Sequence, residues 1–286
     1  SVDNFENYLQ QEGIIQESDK TKLEADIKKL ITDELNIAYD EPEIEVSTAA
    51  EYADIYAPFD NIAIAPKSSK TSEMRLIDAV RDGLQQGMRK HDNLVIMGQD
   101  VAEYGGVFKV TVGFVEEFGK ARVRNTPICE SAIVGAALGL SLKGKKGLVE
   151  MQFADFVTCG FNQIVNNLAK LHYRWNQNVD VVVRMPTGAG VAAGPFHSQS
   201  NEAWFFHTPG LKIVYPSTPN EAKGLLLAAI EDPNPVMFFE HKAMYRSVSE
   251  GVTEDYFTIE IGKANIVKDG SQLSVITYGM VVHWEK

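Results

Sequence analysis

Apolar positions along the chain recur with two different periods, and the changes of period mark the elements. Near the N-terminus, Phe5, Tyr8 and Leu9 share one helical face. After Gly13, Leu23, Ile27, Leu30, Ile31, Leu35 and Ala38 repeat at helical spacing, with Ser18 as the expected cap. Residues 41–60 are acidic, interrupted by proline and expected to be extended, and 61–73 read as a polar linker. A second amphipathic helix is predicted from a Ser72 cap to about Lys90, with Met74, Ile77, Val80, Leu84 and Met88 facing inward.

Beyond it, short apolar runs alternate with helical patterns. Strands are predicted at Leu94–Met97, Leu148–Met151, Val181–Arg184, Leu211–Tyr215 and Val236–Phe239. Between them lie a short helical piece at Phe114–Phe118, a small-residue run from Ser131 to Leu142, a long helix over Phe156–Tyr173 and a helix over Asn220–Ile230. Strands this apolar are buried on both faces, so the fold class is α/β: a doubly wound, mostly parallel sheet with helices on both sides. Gln272–Tyr278 reads as one more strand. It opens a unit with no sequence to follow it, so the chain is expected to be truncated.

Composition changes this picture in one respect. The net charge of −12 resides wholly in residues 1–60, which hold 16 Asp/Glu against four Lys. That asymmetry sets the first sixty residues apart as a unit of separate origin. No basic patch exists for nucleic acid, and no apolar run is long enough for a membrane span. Two cysteines, Cys129 and Cys159, are too few for a disulfide framework and point to a reducing, cytoplasmic setting.

Ligands of parallel sheets bind beyond the carboxyl ends of the strands, and several conspicuous residues fall there. Glu130 stands at the mouth of the run SAIVGAALGLSL, where a carboxylate must be capped, paired or used. Gly188–Gly194 formally fits a dinucleotide fingerprint, but Pro195, Phe196 and His197 follow where a helix should open, so that reading fails. Ser198 lacks the nucleophile-elbow context of a hydrolase. His197 becomes a proton carrier or anion donor if it shares a cleft with Glu130. Phe153 and Phe156 either plug the core or stack on a planar heterocycle. His172, His207 and His241 lack zinc-site spacing, so no transition metal is expected.

Four blocks, Asn125–Glu130, Gln152–Phe156, Asn162–Asn166 and His197–Ser200, occur in an order and spacing that resemble one family. It is the β subunit of the thiamine-diphosphate-dependent decarboxylating component of 2-oxo acid dehydrogenase complexes. The branched-chain type is favoured over the pyruvate type, on Phe153-Ala-Asp-Phe156, Arg174 in Tyr-Arg-Trp and Ile230-Glu-Asp-Pro-Asn-Pro235. The resemblance implies a transketolase-type pyrimidine-binding domain at 74–262 and the start of a C-terminal transketolase-like domain at 263–286. Residues 1–60 resemble the C-terminal tail of the α subunit, implying a parent that fuses α and β in one polypeptide.

The same resemblance implies the roles of particular residues. Glu130 would hydrogen-bond a ring nitrogen of the aminopyrimidine, favouring the imino tautomer that removes the thiazolium proton. Ile128, Gln152 and Phe156 would line the cofactor, Phe156 standing where branched-chain relatives carry tyrosine. His197 would face the substrate carboxylate and the lipoyl arm. Val182, Val183, Ala229, Asp232 and Asn234 match a structural potassium site built mainly from backbone carbonyls. Magnesium and diphosphate would be held by the α portion, so the chain alone is expected to be inactive. Expected partners are that α portion or a second protomer of a homo-oligomer, the lipoyl domain and the acyltransferase component. A transketolase-like enzyme and a catalytically silent assembly module are the competing readings; Glu130 and His197 argue against the second.

Overall fold

A computed structural model describes residues 1–284. The chain divides into two compact units, Ser1–Thr48 and the remainder from Ala49 onward. The first holds α1 (Val2–Gln11) and α2 (Glu17–Asp40), joined by a Lys20–Glu6 ion pair at 2.6 Å. The second helix starts two residues earlier than a Ser18 cap would allow, capped at Gln16, whose N–H donates to Asp19 Oδ2 at 2.8 Å. A short helix, α3 (Thr48–Ala53), interrupts the stretch expected to be extended.

The second unit continues with β1 (Thr71–Arg75), α4 (Leu76–Lys90) and β2 (Leu94–Gly98). Next come α5 (Phe114–Phe118), β3 (Val123–Asn125), α6 (Glu130–Ser141) and β4 (Lys146–Glu150). A 3-10 segment at Ala154–Gly160 and a π-helical one at Gln163–Leu168 precede α7 (Leu171–Trp175) and β5 (Val181–Thr187). A 3-10 turn at Pro195–His197 leads to α8 (Ala203–Phe206), β6 (Lys212–Val214), α9 (Pro219–Glu231) and β7 (Val236–His241). The last elements are α10 (Met244–Ser247), β8 (Ser249–Thr253) and a 3-10 turn at Gly279–His283.

Six strands form one wholly parallel sheet in the order β3-β2-β4-β5-β7-β6, and β1 pairs antiparallel with β8. Alternate strand residues serve two separate cores. Leu94, Ile96, Leu148, Val182, Val236 and Phe238 pack on one face with α4 and α9 residues. Val95, Met97, Val149, Val181, Val183, Met237 and Phe239 pack on the other with α6 residues. This two-sided burial is why the strands read as continuous apolar runs. The small residues of α6 let it sit close: a Cβ on Gly147 of β4 would fall 2.9 Å from the Ala137 Cβ.

Three expected elements differ. The strand pairing of Thr71–Arg75 with β8 displaces the Ser72 cap, and α4 starts at Leu76 with Asp78 accepting from the Arg75 N–H at 3.3 Å. The same strand takes in the last residues of the expected linker. The long helix over Phe156–Tyr173 is broken into 3-10, π and α pieces. Its Asn and Gln side chains bond each other, Asn166 Nδ2 to Asn162 Oδ1 at 2.8 Å among them, and such polar residues hold helical register weakly. Gln272–Tyr278 is not a strand: it has no ladder partner, and Ile276 is 97% exposed. The expected C-terminal unit at 263–286 reaches two residues outside the described ones.

Candidate active site at the carboxyl end of the sheet

From β2 the chain first adds β3 on one side, then crosses through α6 to add β4 on the other. The strand order therefore reverses between β2 and β4, and in such sheets ligands bind beyond the carboxyl ends of the strands at that point. Gln99 and Asp100 follow β2, Gln152 follows β4, and Glu130 opens α6 beyond β3. Three of these four residues lie on loops whose place the sheet fixes.

Glu130 is 8% exposed. Gln99 Nε2 donates to its Oε1 at 3.1 Å, and among the described residues no Lys, Arg or His stands within ion-pair distance. A buried carboxylate supported by one neutral amide has capacity for a further donor. Gln99 had no spacing signal in the sequence; only its place directly after a buried strand marks it.

After β4, the 3-10 segment Ala154–Gly160 touches both α6 and the turn carrying His197. Asp155 builds this junction. Its Oδ1 accepts from the Ser198 and Gln199 N–H groups, each at 3.1 Å, while Oδ2 is buried without a partner. Asn201 Nδ2 donates to Ala154 O at 2.8 Å, and Gly188 N–H donates to Gln199 O at 2.9 Å. The loop after β5 is thus tied to the loop after β4, which fixes His197 over the aromatic residues.

The His197 ring lies edge-on to Phe153 at 4.7 Å and to Phe156 at 5.5 Å, with its Nδ1 buried and unpartnered. Phe153 also meets Phe156 at 5.8 Å and Phe108 at 5.6 Å. The structure therefore brings together Phe156 and His197, far apart in sequence. Gln152 reaches across the switch point, its Nε2 donating to Asp100 Oδ2 at 3.5 Å. Ile128 is 83% exposed and makes no wall within this chain.

Lys242, directly after β7, completes the polar lining and was not singled out by sequence. Burial pushes its ammonium down to about 8, against the opposing pull of Asp155. His241 is lowered by burial and then by Lys242. Ala243 N–H donates to His241 Nδ1 at 3.2 Å, so the neutral ring carries its proton on Nε2. Beneath these loops, Arg184 of β5 is buried between Glu150 and Glu240, with Tyr245 Oη donating to Glu240 at 2.6 Å. Burial works against the charged guanidinium, but the Glu240 and Glu150 carboxylates outweigh it and hold its pKa above the ordinary value, so it stays charged. Burial, opposed by Arg184 and reinforced by Glu240, raises Glu150.

The residues expected to hold potassium lie elsewhere. Val182 and Val183 sit inside β5, paired by β4 and β7. At the opposite end of the sheet, Asp232 Oδ2 meets Lys212 Nζ at 2.5 Å and its Oδ1 accepts from Asn234. Asn234 in turn exchanges hydrogen bonds with the Ala57 backbone at 2.7 and 3.0 Å. The Asp232 carboxylate there is thus paired with the Lys212 ammonium. No cluster of three or more His, Cys, Asp or Glu among the described residues could hold a metal ion. No helix among them is long and apolar enough to cross a membrane.

Comparison with known proteins agrees with the topology. The family described as transketolase, pyrimidine binding domain, matches residues 72–248. The chain is 46% identical over 215 residues to the 2-oxoisovalerate dehydrogenase subunit beta of Bacillus subtilis, covering 74% of this chain and 66% of that one. It is equally similar to the mitochondrial 2-oxoisovalerate dehydrogenase subunit beta of Dictyostelium discoideum, at 46% identity, 74% of this chain and 58% of that one. The pyruvate dehydrogenase E1 component subunit beta of Bacillus subtilis is 42% identical over 216 residues, 74% of this chain and 66% of that one. The chain thus spans less than two thirds of the length of these relatives.

Proposed function

This chain belongs to the transketolase pyrimidine-binding domain family, and on that footing we propose that it forms the pyrimidine-gripping part of a 2-oxo acid dehydrogenase. Its parent would decarboxylate a branched-chain 2-oxo acid and pass the acyl group to the lipoyl group of an acyltransferase component. The observation that carries this reading is Glu130: a buried carboxylate at the topological switch point, backed by Gln99 and with no cationic partner among the described residues.

That arrangement fits the aminopyrimidine of thiamine diphosphate, a flat heterocycle whose ring nitrogen can supply the missing partner. When bound, the cofactor supplies the nucleophilic carbon that attacks a 2-oxo group and accommodates the charge left by carbon dioxide. Glu130 would share a proton with the ring nitrogen at its carboxylate, and Gln99 keeps that carboxylate aimed. Phe156 and Phe153 present apolar faces that exclude water. His197, fixed over them by the Asp155-anchored loop, would meet the substrate's carboxylate and the incoming lipoyl arm.

The branched-chain reading is supported by the higher identity to 2-oxoisovalerate relatives, 46% against 42% for a pyruvate relative from the same organism. These relatives are named beta subunits, which supports an α portion that holds magnesium and diphosphate. The acidic balance of residues 1–60 supports a parent in which α and β are fused. The working form would be a homo-oligomer in the cytoplasm, built into a larger complex. The test is turnover by the full-length protein with 2-oxoisovalerate and with pyruvate. A higher kcat/KM for 2-oxoisovalerate is expected; preference for pyruvate would move the assignment to the pyruvate type, and no turnover of either would end it.

A further inference from the structure

Two lysines among the described residues are buried, and they are held very differently. Lys223 bonds Thr253 O at 2.6 Å and Asp82 at 2.7 Å, the pairing that a buried ammonium requires. Lys242 is 3% exposed, yet among the described residues its ammonium has one hydrogen bond, at 3.5 Å to Pro186 O. No carboxylate comes within ion-pair distance of it among those residues. An ammonium has three donors, so at least two have no partner here.

The surroundings show where those donors can be used. Lys242 Nζ lies 5.4 Å from the centre of the Phe153 ring, whose edge-on neighbour is His197. The His197 Nδ1 is itself buried without a partner. Asp155 is the alternative counterion, but it lies beyond ion-pair distance and its Oδ1 is committed to the Ser198 and Gln199 amides. A buried cation and an orphaned imidazole nitrogen flank one aromatic ring at the carboxyl end of the sheet.

We propose that Lys242 is a substrate-binding residue that takes the carboxylate of the 2-oxo acid, beside the same Phe153 ring that His197 meets edge-on. This rests on the 2-oxo acid reading above and adds to it the group that selects an acid over a neutral ketone. A charge-assisted hydrogen bond in a dry site is strong enough to dominate recognition of a small anion.

The test is calorimetric binding of 3-methyl-2-oxobutanoate, and of the neutral ketone 3-methylbutan-2-one, to the chain and to Lys242→Met, Lys242→Gln and Lys242→Arg. The Met and Gln variants should weaken the oxo acid about tenfold or more and leave the ketone within about twofold; Arg should retain most of the oxo-acid affinity. Thermal melts identify any variant that fails to fold, and the Gln variant then replaces Met. Unchanged oxo-acid affinity in Met and Gln, equal weakening of both ligands, or no oxo-acid binding by the unaltered chain overturns the proposal. Thiamine diphosphate binding, measured in parallel, separates the two readings. Lys242-dependent oxo-acid binding without thiamine diphosphate binding would leave the subsite standing and remove the cofactor assignment.

Discussion

Glu130 and Lys242 present opposite cases of the same physical problem, a charge taken out of water. Glu130 was legible in the sequence, because a carboxylate at the head of an apolar run stands out against its neighbours. Lys242 was not: a single basic residue after a strand has no spacing to mark it, and its isolation exists only in three dimensions. Gln99 and Asp155 share that invisibility, since their partners Glu130, Ser198 and Gln199 lie 31 to 44 residues away. The Lys242 ammonium, pushed down to about 8 by burial, has a consequence for stability. Below pH 8 both folded and unfolded chains carry its proton; between about 8 and the ordinary value of 10.5 the unfolded chain holds it more firmly. Stability therefore rises with pH across that window. The melting temperature of the unaltered chain, minus that of Lys242→Met, should increase from pH 8 to pH 10. A flat difference would show that burial does not depress this lysine.

Among the elements, those buried on both sides were read well and those set by partners were not. The strands β2, β4, β5, β6 and β7 were visible as apolar runs because both faces meet a core. The run Gln272–Tyr278 has the same local pattern but no neighbour to pair with, and it stays irregular. β1 shows the reverse: Thr71–Arg75 looks like a helix entrance, and pairing with β8 makes it a strand. The small residues of α6 were noticed for their apolarity; their purpose is contact with β4. Adding a methyl at Gly147 would place it 2.9 Å from the Ala137 Cβ and 3.2 Å from the Ala137 backbone. Gly147→Ala should therefore cost about 1–3 kcal/mol of stability in urea unfolding, by forcing helix and strand apart. A loss within about 0.5 kcal/mol would mean that the interface yields freely.

At the scale of the molecule, the doubly wound sheet reverses its strand order between β2 and β4, and the candidate residues all follow the carboxyl ends of its strands. The sequence pattern anticipated the sheet. It did not anticipate the pairing of Lys212 with Asp232, twenty residues apart, which only the packing of β6 beside β7 brings about. The isolated chain is expected to show no 2-oxo acid decarboxylation, because under the proposed function it would supply only the pyrimidine end of the site; release of carbon dioxide by the purified chain would refute this. Under the proposed function, Glu130 grips the aminopyrimidine of thiamine diphosphate. The most direct test is Glu130→Gln in the full-length enzyme, with kcat for 2-oxoisovalerate and Kd for thiamine diphosphate measured on the same preparation. The account predicts a fall in kcat of about a hundredfold or more with Kd changed less than about tenfold. Near-normal turnover in the variant would contradict it.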